Sequence, residues 1–254
     1  MIAITRDVSP SIARAELTHL QRTPIDYDRA VEQHRQYREL LAALGHTVLE
    51  LPGDAAYPDC VFVEDTAIVL GDVAVITRPG AESRRGETAL MAETLAPYRR
   101  LAYIEAPATI DGGDVLVLDE RIYVGLSERT NEAALGQLRR LAGREVIPVA
   151  VHGALHLKTA VTRVAADTLL VNRDWLDLTP FAGWKLIDTD PSEPFGANAL
   201  LIDSVVIYPS AFPRTRTRLT GLDVRTVDAD ELAKAEGGVT CCAVLVGAST
   251  ATKS

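Results

Sequence analysis

A hairpin pattern that recurs along the chain limits its fold more than any other feature. Ala67 to Leu70 and Val73 to Thr77 flank a Gly71-Asp72 turn, and Val115 to Leu118 and Arg121 to Val124 flank Asp119-Glu120. Ala160 to Val164 and Thr168 to Val171 flank Ala166-Asp167, and Leu200 to Ile202 and Val205 to Tyr208 flank Asp203-Ser204. Short β-branched runs around two-residue turns of this kind read as hairpins. The turns begin at positions 71, 119, 166 and 203, which makes the steps 48, 47 and 37 residues. After each comes a helix-compatible segment (Gly86 to Tyr98, Asn131 to Ala142, Trp175 to Phe181, Arg214 to Leu219) and another strand-like run. Cys241 to Val246 and Met1 to Thr5 supply a fifth hairpin that closes a ring. An ordinary mixed α/β sheet is the alternative. Between the first two units, Asp26 to Leu44 carries apolar positions at helical spacing, with Gly45 as its stop.

A ring of equivalent units has a chemical consequence. A polar or reactive group stands shortly before each turn: Glu64-Asp65, Asp111 with Asp114, His156, Asn198 and Cys241. Equivalent positions around one axis converge on it, so these side chains are expected in one pocket. Cys241 follows Glu236-Gly237-Gly238-Val239-Thr240 and reads as a thiol at the mouth of a buried strand. Thiolate is the reactive form of cysteine. His156 is the natural acid and base, since imidazole titrates near neutrality. Asp111 is placed to fix its tautomer. Glu64 and Asp65 add two carboxylates that repel each other unless a cation arrives, and a planar guanidinium matches them.

Composition narrows the partners. The net charge of −9, without a basic run, excludes nucleic acid and anionic membrane and favours a small cationic ligand. No apolar stretch approaches membrane-spanning length, and Met1 to Thr5 runs directly into a strand-like segment with no signal sequence. Three cysteines without a CxxC spacing suit a reducing, cytoplasmic compartment. Cys60 and Cys242 read as core, Cys242 facing away from Cys241 along a strand. His152 and His156 lie four apart, but Val151 to Thr159 reads as loop into strand, so no metal is expected. No P-loop or dinucleotide fingerprint is present, and no cofactor is expected. On local grounds Glu64-Asp65, Asp111 to Asp114 and Arg78 to Arg85 would each be solvated surface.

Five stretches together resemble the dimethylarginine dimethylaminohydrolases, within the guanidine-modifying superfamily of penteins. They are Val61 to Asp65, Thr77 to Glu87, Ile110 to Asp114, Leu155 to Thr159 and Gly237 to Cys241, in family order across nearly the whole chain. The resemblance implies an α/β fold, a five-bladed α/β propeller with the site in its central channel, as one catalytic domain over residues 1–254. It implies Cys241 as nucleophile, His156 as general acid and base, and Asp111 as its orienting group. Asp111 stands where family members carry Glu or Asp. Glu64 and Asp65 would hold the guanidinium, and Arg84 and Arg129 would grip the amino-acid end of the substrate. Asp59 and the backbone near Leu17 would make further contacts, although the loop from Asp7 to Pro24 matches the family poorly. Ala235 replaces a residue that is often branched and apolar, so the pocket wall differs here. The implied reaction converts dimethylarginine or monomethylarginine to citrulline through a Cys241 thiouronium, in a protein that could form a homodimer.

Two rivals stay open. Arginine deimination or amidino transfer is the nearer, but deiminases typically place Asp directly after His-Leu, where this chain has Lys158. A non-catalytic binder of cationic amino acids would not need Cys241 and His156 together. A redox role for Cys241-Cys242 is more distant, because adjacent cysteines rarely form an unstrained disulfide.

Overall fold

The β-branched runs around each expected turn pair as hairpins, with left-handed backbone at Gly71, Asp119 and Asp203. That conformation is what two-residue hairpin turns require, and Gly and Asp tolerate it best. A computed structural model describes residues 1–247. In chain order, β1 (Ile2–Arg6), α1 (Tyr27–Ala43) and β2 (Thr47–Leu51) come first. Next are β3 (Ala67–Leu70), β4 (Val73–Ile76), α2 (Thr88–Leu95) and β5 (Arg100–Tyr103). The third group is β6 (Val115–Leu118), β7 (Arg121–Leu126), α3 (Glu132–Ala142) and β8 (Glu145–Ala150). The fourth is α4 (Leu157–Ala160), β9 (Val161–Ala165), β10 (Thr168–Val171) and β11 (Lys185–Asp188). The last is β12 (Leu200–Ile202), β13 (Val205–Pro209), α5 (Pro213–Arg216), β14 (Asp223–Val227) and α6 (Asp230–Ala233), with β15 (Val244–Val246) following.

Among the described residues these strands make five three-stranded sheets of one design. The first two strands of each are antiparallel and the third returns parallel to the middle one. In the remaining sheet, β15 from the far end of the chain pairs antiparallel with β1, which pairs parallel with β2. The two ends of the sequence thus complete one blade and close the ring. All five first strands (β3, β6, β9, β12 and β15) line one axial cavity of about 570 Å³.

The core is divided among the seams between blades. Ile4, Val244 and Val246 pack with Ala74 and Ile76; Val75 and Ala102 pack with Ile122 and Val124. Tyr123 and Val149 meet Val161 and Leu169, Val164 and Leu170 meet Val206 and Tyr208, and Ile202 and Ile207 meet Ala3 and Leu41. Each buried Leu, Ile or Phe contributes about 1.5–3 kcal/mol, so the ring is held by apolar burial between neighbours. No helix among the described residues is long and apolar enough to cross a membrane.

Four local expectations change. Trp175 to Phe181 holds only a 3₁₀ turn at Thr179–Phe181, because Asp177 caps Thr179 and Pro180 follows at once. Arg214 to Leu219 reduces to α5, a single turn started by Pro213. The run after His156 enters its strand through the helical turn α4 rather than directly. Cys241 and Cys242 lie in the turn before β15, not in the strand. Cys242 still packs in the core, its thiol donating to Gly238 O at 3.5 Å, and Cys60 is also buried.

Candidate active site

The entries to the five hairpins are tied to one another in a circle. Gly113 N–H donates to Asp65 Oδ1 (3.0 Å), and Leu157 N–H donates to Asp114 Oδ1 (2.9 Å). Asn198 Nδ2 donates to Lys158 O (3.0 Å) and to Thr240 Oγ1 (2.9 Å), while Asn198 Oδ1 accepts Thr240 N–H at 3.1 Å. Glu64 N–H then donates to Cys241 O (3.1 Å), completing the loop. Two glycines make the approach possible. A Cβ on Gly113 would come within 2.6 Å of His156 Nδ1, and one on Gly238 within 2.4 Å of Asn198 Oδ1.

Inside this circle Cys241 and His156 face one small closed cavity of about 10 Å³, with Asp59, Asp65, Arg84, Arg129 and Ala235 in its wall. His156 Nε2 lies 3.1 Å from Asp111 Oδ2, and its Nδ1 lies 3.9 Å from Asp65 Oδ1. Asp111 itself is fixed through Gly80 N–H, which donates to its Oδ1 at 2.9 Å. Gly238 N–H donates to the Cys241 sulfur at 3.3 Å. The chain from Glu16 to Leu20 closes the cavity. Asp59 accepts Glu16 N–H, Arg129 Nη2 donates to Thr18 Oγ1 (2.9 Å), and Glu236 accepts the amides of Thr18, His19 and Leu20.

The electrostatics follow from burial and from these partners. Burial opposes a charged His156, but Asp65, the hydrogen bond to Asp111 and the charge of Asp114 outweigh it and hold its pKa at about 9. Burial together with the carboxylates of Glu64 and Asp65 pushes the Cys241 thiol up to about 12. Asp65 is buried as well, yet His156 and Arg84 hold it below the usual carboxylate range. Burial raises Asp59 to about 6 against the pull of Arg84. Burial and the surrounding carboxylates thus favour a neutral thiol at Cys241 and a protonated ring at His156.

Seven of the ten expected residues share the cavity wall, with Asp111 directly behind the imidazole. Glu64 departs from its expected place: one oxygen bonds Lys158 Nζ, the other accepts from Thr240 Oγ1, and the side chain faces the axial cavity. The reason is Lys158, whose ammonium draws Glu64 into a buried pair. Arg84 also departs from a role at the amino-acid end. Its guanidinium is engaged by Asp65 (2.6 Å), Glu87 (2.9 Å) and the carbonyl oxygens of Asp59 and Phe62. Leu17 is not in the wall; its neighbour Glu16 is. Asn198 joins the circle as its place before a turn implies, whereas Glu236 is a site residue that the sequence reading leaves out, although it heads the Gly-Gly stretch before the thiol. Asp65, Asp111 and His156 each offer one atom within 4.8 Å of the others, the set best placed to hold a metal ion. Arg84 and Gly113 already occupy Asp65, and Asp111 occupies the imidazole.

Known proteins share this fold. The family model described as "N,N dimethylarginine dimethylhydrolase, eukaryotic" matches residues 16–179. The chain is 39% identical to the N(G),N(G)-dimethylarginine dimethylaminohydrolase of Streptomyces coelicolor over 248 residues, covering 95% of each chain. Among solved structures it superposes with a TM-score of 0.90 at 33% identity on a Cys-to-Ser mutant of the Pseudomonas aeruginosa enzyme complexed with citrulline, covering 95% of this chain and 97% of that one. A His-to-Gly variant of a dimethylarginine dimethylaminohydrolase, seen as an adduct with S-methyl-L-thiocitrulline, gives 0.89 at 33% identity, covering 95% and 98%. A sequence match that spans most of both chains, joined to the same ring of blades, settles the relationship: this chain belongs to the dimethylarginine dimethylaminohydrolase family.

Proposed function

We propose that the protein hydrolyses N-methylated arginines to citrulline and dimethylamine or methylamine, with Cys241 as nucleophile and His156 as general acid and base. The observation that carries this reading is the meeting of Cys241, the His156–Asp111 pair and Asp65 around one closed cavity. A guanidinium bound beside Asp65 brings the positive charge that the Cys241 thiol lacks in the resting site, so substrate binding favours the thiolate, and the thiol proton passes to solvent. The sulfur then attacks the guanidinium carbon, held in a near-attack geometry. The imidazolium of His156 gives its proton to the nitrogen of the departing amine. The C–N bond breaks, and a cationic thiouronium remains on Cys241. Neutral His156 next takes a proton from water, whose oxygen adds to the same carbon; the thiolate leaves, the added hydroxyl gives its proton to solvent, and citrulline is released. Asp111 keeps the ring oriented through both halves. Asp59 and Asp65 face the cation, and Arg129, whose Nη2 donates to the loop hydroxyl of Thr18, takes the substrate carboxylate.

A colorimetric citrulline assay on arginine, monomethylarginine and dimethylarginine tests the reading. Citrulline from the methylated substrates without added cofactor supports it. Binding without citrulline would leave the protein a binder of cationic amino acids, and faster turnover of arginine would make it a deiminase.

A further inference from the structure

Asp114 takes no part in the chemistry above, yet it is fully buried and every oxygen it carries is engaged. Its Oδ1 accepts Leu157 N–H at 2.9 Å, directly after His156. Its Oδ2 accepts the hydroxyls of Ser127 and Thr130, each at 2.6 Å. Both hydroxyls also receive a backbone N–H: Thr130 Oγ1 from Asp111 at 3.2 Å, Ser127 Oγ from Arg129 at 3.0 Å. A hydroxyl has one proton to give. Because the carboxylate only accepts, it obliges both hydroxyls to donate inward and to turn their lone pairs toward those two amides. Three bonds from one side chain therefore lead to the acid/base residue, to its orienting carboxylate and to the cavity arginine. The space is kept clear for it: a Cβ on Gly125 would come within 2.6 Å of Asp114 Oδ1.

We propose that Asp114 is a positioning residue that aligns His156, Asp111 and Arg129 together, through Leu157, Thr130 and Ser127 respectively. The proposal rests on the functional reading of those three residues. Burial pushes Asp114 up to about 6, against His156 and the two hydroxyls, which leaves it an anion at neutral pH. An amide in its place, with its oxygen on Leu157 N–H, would turn its NH2 to the two hydroxyls, which would then accept and lose the acceptor for their own protons.

Four variants separate alignment from mere support, each checked for fold by its melting temperature. Asp114→Asn should lower kcat by about 100-fold and raise KM. Thr130→Val, which cuts only the branch to Asp111, should lower kcat by about tenfold, and Thr130→Ser should restore it. Ser127→Ala, which cuts only the branch to Arg129, should raise KM several-fold and leave kcat within about twofold. The ¹⁵N and ¹H resonances of the His156 ring, recorded without substrate, should shift in Thr130→Val, which cuts the link to Asp111 and keeps the Asp114 charge, and not in Ser127→Ala. Wild-type kcat in Asp114→Asn and Thr130→Val would overturn the proposal. So would losses that track melting temperature equally in all four variants. If the wild-type protein forms no citrulline, the hydrolase reading falls alone. The ring resonances then decide: a shift in Thr130→Val supports alignment, and an unchanged spectrum overturns it.

Discussion

Glu236 accepts the backbone N–H of His19 at 2.6 Å, joining the loop near the start of the chain to the turn just before Cys241. The same carboxylate takes the amides of Thr18 and Leu20 at 3.0 and 2.6 Å, and it stands on left-handed backbone at φ 62°. Arg22 folds the loop on itself by donating to Ala13 O and Ala15 O, each at 2.6 Å. Asp59 holds the adjoining Glu16 N–H, so two carboxylates anchor the loop and Glu236 takes most of its amides.

Glu236→Ala should therefore loosen closure rather than chemistry. Net contributions of about 1.5–3 kcal/mol for hydrogen bonds to a charged group predict a rise in KM of roughly 10- to 100-fold. Steady-state kinetics reads the effect, with faster amide exchange at residues 18–20 as its structural counterpart. A KM equal to that of the wild type would show that Glu236 does not govern entry.

The two adjacent thiols should behave differently. Cys241 faces the cavity, whereas Cys242 packs with Tyr37 and Val239 in the core. Cys241→Ser is expected to abolish citrulline formation, while Cys242→Ser keeps kcat within about twofold because no reacting atom is touched. Activity in Cys241→Ser comparable to wild type would remove it as nucleophile.

Stability should depend on pH through His156. Its folded pKa of about 9 lies above the ordinary histidine value. Its stabilising contribution is therefore complete below about pH 6.5 and is lost as pH rises through about 9, with a size on the order of 3 kcal/mol. Thermal melts of the wild type from pH 6 to 10 should fall across that window, and His156→Gln should flatten the fall. A wild-type curve no steeper than that of the variant would contradict the buried imidazolium.

Arg84 and Arg129 should separate by phenotype. Removing Arg84 leaves Glu87 buried and unpaired and takes from Asp65 the closer of its two cationic partners, so Arg84→Ala should cost about 3–5 kcal/mol of stability. The described contact of the Arg129 guanidinium is with the loop hydroxyl of Thr18. Arg129→Ala is expected to cost less than about 1 kcal/mol but to raise KM more than tenfold. Denaturant melts and kinetics on the two variants check the split, and a reversed pattern would exchange their roles.

Much of this molecule was legible in one dimension because its causes are local. β-branched runs, Gly and Asp at two-residue turns, and a repeated step of comparable length specify hairpins that recur, and polar groups at matching phases imply a shared pocket. The triad of Cys241, His156 and Asp111 follows from that phase argument together with the family resemblance, and their chemistry from their side chains.

What local pattern does not carry is which partner a charged group meets across blades. Glu64 and Lys158 are 94 residues apart, and Arg84 and Asp65 are 19 apart with two strands between them. In a dry interior each carboxylate pairs with whichever cation the packing brings within reach, since an unpaired buried charge is far costlier than an exposed one. The sequence by itself determined the five repeated units, the thiol, the imidazole and their carboxylate. Only the tertiary structure decided that Glu64 turns to Lys158, that Arg84 serves Asp65 and that Glu236 closes the loop, because those choices depend on distances that exist only after the ring has closed.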